Sequence, residues 1–92
     1  MPISGQKTVT TAGAAVPLGA DPICAPLMVK ALPGNTGSVA IGNDGSNDVT
    51  TANGLLLAAG ESVVFSYVST LAQLYVDAAV NGEGVCWVIL SI

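Results

Sequence analysis

The 92-residue chain reads as all-β, a small antiparallel β-sandwich or jelly-roll-like barrel of about seven to eight short strands. Three observations predict this. Apolar residues recur with a period of two along most of the chain. Dipeptides that favour tight turns separate the runs: Asp44-Gly45, Asn53-Gly54 and Asn81-Gly82. Only residues 71–80 suit helical turns, and there no residue caps the start while Gly82 and Gly84 follow closely.

Taken in order, residues 6–12 (QKTVTTA) are rich in Thr and Val and alternate polar with apolar. Residues 25–32 (APLMVKAL) set Leu27, Val29 and Ala31 on one face against Met28, Lys30 and Leu32. The turn at 33–37 (PGNTG) offers Pro at a second turn position and Gly where a positive φ is needed. Residues 38–41 (SVAI) close on Gly42, and 55–57 (LLL) end at Ala59-Gly60. Residues 62–68 (SVVFSYV) set Val63, Phe65 and Tyr67 against Val64, Ser66 and Val68. A short helical turn fits 69–73, followed by a strand over 74–80 (LYVDAAV). The last strand, 85–92 (VCWVILSI), turns Val85, Trp87 and Ile89 one way and Cys86, Val88, Leu90 and Ile92 the other. Both faces are apolar, so both call for cover, and one small core supplies only one.

Length allows a single domain over residues 1–92, with 1–7 read as an extended N-terminal arm, for which a disordered terminus is the ordinary reading and a reach across to a neighbour the alternative. A domain this small buries only about 60–65% of its unfolded surface. Hydrophobic residues are 51% of the chain and charged residues 9%, against about 25% charged in an ordinary soluble domain. Mean hydropathy is +0.68. That balance predicts surface covered by another protein. Lipid is not the expected cover, since no stretch approaches the ~20 apolar residues of a spanning helix. The first seven residues (MPISGQK) lack the apolar run of a signal peptide. Lys7 and Lys30 are the only basic side chains, too few to neutralise a phosphate backbone, so nucleic acid is not an expected partner.

The chain has no His, which rules out Ser-His-Asp and Cys-His catalysis and removes the commonest metal ligand. The six carboxylates are Asp21, Asp44, Asp48, Glu61, Asp77 and Glu83. Asp77 and Glu83 flank the Asn81-Gly82 turn and are able to meet across a hairpin, although solvated turn carboxylates are the ordinary reading. Residues 42–48 (GNDGSND) space oxygen ligands like a calcium loop but lack the EF-hand order, and read as a polar surface loop. Gly82-Glu83-Gly84 is no phosphate cradle, because a strand and not a helix follows. Trp87 is expected in the core or an interface rather than as a sugar platform. Cys24 and Cys86 read as small buried hydrophobes, with one disulfide between them left open and no metal-site spacing. No catalytic residue, cofactor or metal is therefore expected. The interface is expected at Pro2, Ile3, Val88, Leu90 and Ile92.

Three stretches carry a resemblance: 29–42 (VKALPGNTGSVAIG), 53–62 (NGLLLAAGES) and 74–85 (LYVDAAVNGEGV). Their order resembles small phage virion structural proteins, which serve as capsid decoration (cement) or minor head and fibre components. It covers about residues 8–90, with Ala58-Ala59-Gly60 where that pattern places Pro before the Gly. The resemblance implies a non-enzymatic subunit that binds the major capsid protein on the assembled shell, as a homo-oligomer, most simply a trimer. It implies a location on the virion's capsid surface after assembly in the host cytoplasm. The alternative is a receptor- or glycan-binding module of a fibre or tail, which needs exposed aromatic rings.

Overall fold

Alternation along the longest strand organises the molecule. A computed structural model describes residues 3–91, and in it Ile23, Ala25, Leu27, Val29 and Ala31 point inward from one ten-residue strand. The elements are β1 (Ser4–Thr8), β2 (Val16–Pro17), β3 (Pro22–Ala31), β4 (Val39–Gly42), β5 (Leu55–Leu57), β6 (Ser62–Thr70), a 3₁₀ turn (Leu71–Gln73), β7 (Tyr75–Ala78) and β8 (Gly84–Ile89). They form two four-stranded antiparallel sheets. Sheet A runs β1-β8-β3-β6 and sheet B runs β2-β7-β4-β5.

The pairings β1:β8, β2:β7, β3:β6 and β4:β5 are those of one long hairpin folded at the β4–β5 connection and rolled up. Closing the roll adds β3:β8 and β4:β7. This is the jelly-roll order, laid out as an open two-sheet sandwich and not a closed barrel. The core between the sheets takes Leu27, Val29, Val85 and Ile89 from sheet A and Ile41, Val76 and Leu57 from sheet B, with Leu71 of the 3₁₀ turn. Each large side chain buried this way stabilises by about 1.5–3 kcal/mol. Trp87 is in the core, and its ring crosses β1 where only Gly5 fits: a Cβ there would sit 2.9 Å from the indole.

Several expectations are corrected. Residues 4–7 of the expected arm belong to β1, which pairs with β8 from Ser4↔Val88 to Thr8↔Gly84. Pairing with a central strand gives those residues backbone partners that a free arm lacks. Residues 53–62 do not form a hairpin of β5 with β6, although Asn53-Gly54 does lie on the connection between the paired strands β4 and β5, and β7–β8 is not a hairpin either. Both β5–β6 and β7–β8 cross from sheet B to sheet A. At the first crossing Glu61 N–H donates to the Ala58 carbonyl (2.9 Å) with Gly60 at φ 81°. At the second, Glu83 N–H donates to the Val80 carbonyl (3.4 Å) with Gly82 at φ 81°. Pro33 does begin a turn, closed by Asn35 N–H to the Leu32 carbonyl (3.0 Å), but neither Gly34 nor Gly37 uses a positive φ there.

β6 also departs from simple alternation. Leu27 faces Phe65 while Ala25 faces Val68, so β6 carries an extra residue at 66–67, and Tyr67 turns outward while Val68 turns in. The reverse shift between Ala25↔Val68 and Pro22↔Thr70 places an extra residue on β3, where Cys24 takes φ 47°. The two bulges compensate, and the register recovers beyond them.

Candidate interaction surface

The inward alternation of β3, β6 and β8 fixes what sheet A presents outward. Its strands align a cross-strand row Ser4–Val88–Met28–Val64, and beside it a row Gln6–Cys86–Lys30–Ser62. Leu90 continues the apolar side, its N–H donating to the Pro26 carbonyl (3.0 Å). Val88, Leu90, Val64 and Tyr67 are 38%, 49%, 57% and 62% exposed. Among the described residues Lys30 is the one charged residue whose register places it on this face. A shallow hollow of about 150 Å³ lies among Met28, Lys30, Cys86, Trp87 and Val88. Cross-strand apolar rows of this kind stabilise a sheet only weakly until something removes them from water.

Both cysteines lie on this side and are free, against the expectation that they are buried. Cys24 is exposed, because it falls between the inward Ile23 and Ala25 in the alternation of β3, and its Sγ–H reaches the Ser69 carbonyl at 3.6 Å. Cys86 is half-buried on the outer row, with its thiol 3.6 Å from the Lys30 carbonyl. The two bulges meet here, and the neighbouring Cys24 holds the Tyr67 phenol above its usual 10.0.

The structure splits the expected interface residues. Val88 and Leu90 share the outer face of sheet A. Ile3, 47% exposed, continues β1 opposite Ile89 and so falls on the register of the inward row. Pro2 and Ile92 lie outside the described residues. Met28, Val64 and Tyr67 complete the surface and were missed as interface residues. Met28 and Val64 were readable as the second face of their strands, whereas Tyr67 required knowledge of the bulge.

The carboxylates are held as structural acceptors. Asp77 is buried, not a solvated turn residue, and its Oδ1 accepts from Gly13 N–H (2.9 Å) and Ala78 N–H (2.8 Å). Glu83 accepts from Gly37 N–H (2.9 Å), Thr36 N–H (2.6 Å) and the Thr36 hydroxyl (2.9 Å). The bonds from Gly37 and Thr36 hold its carboxyl below the usual value. They join the β3–β4 loop to the β7–β8 crossing, where Asn35 also donates to the Gly84 carbonyl (2.9 Å). In residues 42–48 the side-chain oxygens cap their own backbone: Asn43 Oδ1 accepts from Gly45 N–H (2.8 Å) and Asp44 Oδ1 from Ser46 N–H (2.8 Å). Among the described residues no group of three or more Cys, Asp or Glu converges as a metal set. Gly82-Glu83-Gly84 has a steric role, since a Cβ on Gly84 would fall on the Lys7 carbonyl oxygen.

No known protein family, no curated protein and no solved structure matches this chain.

Proposed function

We propose that this protein is a non-enzymatic virion structural subunit, a capsid decoration (cement) protein that lays the outer face of sheet A on the assembled shell. The observation that carries the reading is that face: an apolar row, Val64–Met28–Val88–Leu90, exposed except at half-buried Met28, with Lys30 as its only charge among the described residues. Two further points support it. The strand order is the jelly roll, an architecture recurrent in capsid proteins, which is support by analogy of fold alone. The resemblance of residues 29–42, 53–62 and 74–85 to small phage virion proteins points the same way.

The mechanism is mass action. A subunit that binds only the assembled lattice stabilises it by RT ln(1 + [L]/Kd) per site, and self-associated subunits add avidity. Such work needs a rigid body with few charges and one flat apolar contact, and no chemistry. The test is co-sedimentation with intact shells of its own virus. Wild type pellets with the shells and raises their resistance to heat; protein left in the supernatant at saturating concentration overturns the reading.

One observation favours the second reading, a glycan-binding fibre or tail module. Tyr67 is an exposed aromatic ring on the same face, 62% accessible. Trp87 is in the core, and Phe65 and Tyr75 are half-buried. A sugar bound in solution and lost on Tyr67→Ala, with no pelleting on shells, selects this module over the decoration subunit.

A further inference from the structure

The two sheets end in four edge strands, and three of them are blunted. β2 is two residues long and contains Pro17, β5 has three residues, and β1 has five with Lys7 on the inward register. Short length, proline and inward charge are the usual protections of a sheet edge. β6 differs: nine residues, SVVFSYVST, with no proline and no charge. Its only protection is the bulge at 66–67, which leaves residues 62–65 regular.

The phase of the β3–β6 ladder shows which backbone groups this edge leaves open. Ala31 N–H donates to the Glu61 carbonyl (2.8 Å), in register with Lys30↔Ser62 and Val29↔Val63. Hydrogen-bonded and open positions alternate, so Glu61, Val63 and Phe65 turn their backbone groups to β3. Ser62 and Val64 turn theirs away from the sheet, and so does the Ser66 N–H, on the far side of the peptide whose Phe65 carbonyl faces β3. The side chains at this edge are also incompletely covered. Val63 and Phe65 pack against the core yet are only half-buried, and Val64 is 57% exposed. On the facing sheet, edge strand β5 exposes Leu55 and Leu56 by 49% and 48%.

We infer that the partner of this edge is a second copy of the same edge, joined antiparallel across a two-fold axis at Val64. That register is self-complementary in every respect the structure exposes. Val64 pairs with Val64 of the other copy and Ser62 with Ser66, where Ser62 and Val64 offer free N–H and C=O groups and Ser66 its N–H. Two backbone hydrogen bonds form at the Val64 pair and one at each Ser62–Ser66 pair, four in all. On the inner face, Val63 of each copy meets Phe65 of the other and covers its half-exposed side. On the outer face the two apolar rows join into one, Val88–Met28–Val64 continued by Val64–Met28–Val88. Because residues 62–66 carry no charge, no like charges meet across the axis, which a chain of net charge −4 otherwise risks. The dyad makes a dimer the unit of self-association, in place of the trimer that the resemblance implies. This inference does not rest on shell binding, since it concerns the free protein.

A register-specific crosslink tests it. In a Cys24→Ser, Cys86→Ser background, Val64→Cys puts two thiols on a hydrogen-bonded pair with Cα atoms about 5.5 Å apart, within disulfide reach. Ser66→Cys puts its two copies four positions apart along the strands, beyond reach. Mild oxidation converts the Val64→Cys protein to covalent dimer and leaves Ser66→Cys monomeric on gels. In sedimentation equilibrium wild type is dimeric, and Val64→Lys, whose melting temperature confirms a folded domain, dissociates roughly tenfold more easily or worse. A monomeric wild type at tens of micromolar, or equal crosslinking at both positions, overturns the inference.

Discussion

The two sheets treat their outer faces differently. Sheet B is covered by its own chain over β4 and β7, and leaves open Leu56 of edge strand β5. The loop through Gly13 lies over Asp77 and donates to it, and Val49 and Gly54 fold over Ala40, leaving Ala40 at 0% and Val49 at 1% exposure. A Cβ on Gly54 would stand 3.0 Å from the Ala40 Cβ, so that loop is in close contact with the sheet. The outer face of sheet A has Met28 half-buried and Val64, Val88 and Leu90 open. The loops of this chain cover most of one sheet and leave the other apolar. Under the proposed function, the difference separates what stabilises the subunit from what it would contribute to an assembly.

Substitutions that break or sharpen this contrast are ordered by size. Leu27→Ala, in the shared core, destabilises by about 3–5 kcal/mol in denaturant melts. Val49→Ala costs about 2 kcal/mol, because Val49 belongs to the covered face of sheet B. Asp77→Ala leaves the Gly13 and Ala78 N–H groups without their acceptor and costs about 1–3 kcal/mol. Val88→Ser, on the uncovered face, changes subunit stability by no more than about 0.5 kcal/mol. A loss at Val88 as large as that at Val49 breaks the contrast.

Glu83 adds a pH dependence whose sign is set by its bonds. Its folded pKa lies below the ordinary 4.5, so the carboxylate's contribution is complete above that value and disappears as pH falls through the lowered one. Melting temperature therefore drops more steeply toward acid in wild type than in Glu83→Gln. Equal slopes in the two proteins contradict the assignment.

The strands that bury one face in the common core were legible in the sequence. Leu27, Val29 and Ala31 on β3, and Val85, Trp87 and Ile89 on β8, alternate without interruption, so the period gives their direction. The helical turn expected at 69–73 is the 3₁₀ turn Leu71–Gln73, where the Thr70 hydroxyl accepts from Ala72 N–H. What was not legible depends on distant parts of the chain. Turn residues state that the chain reverses and not which sheet it enters, so both crossings read as hairpins. Asp77 looked solvated because its covering loop lies 64 positions away. Tyr67 was misdirected because the bulge in β6 shifts the phase of two, and that bulge arises from the fit of β6 to β3, whereas Cys24 keeps the alternation of β3 and its outward direction was readable from Ile23 and Ala25. The candidate surface was half visible, through the second apolar face of β8, and incomplete until β3 and β6 were set beside it.

The central claim is that the outer face of sheet A, and not the covered side of sheet B, meets the assembly. Co-sedimentation of three proteins with intact shells tests it most directly: wild type, Val88→Lys on the open face, and Ala14→Lys on the loop over sheet B. Wild type and Ala14→Lys pellet alike, while Val88→Lys stays in the supernatant with its melting temperature unchanged. Retention of Val88→Lys on the shells, or loss of Ala14→Lys in its place, contradicts the account.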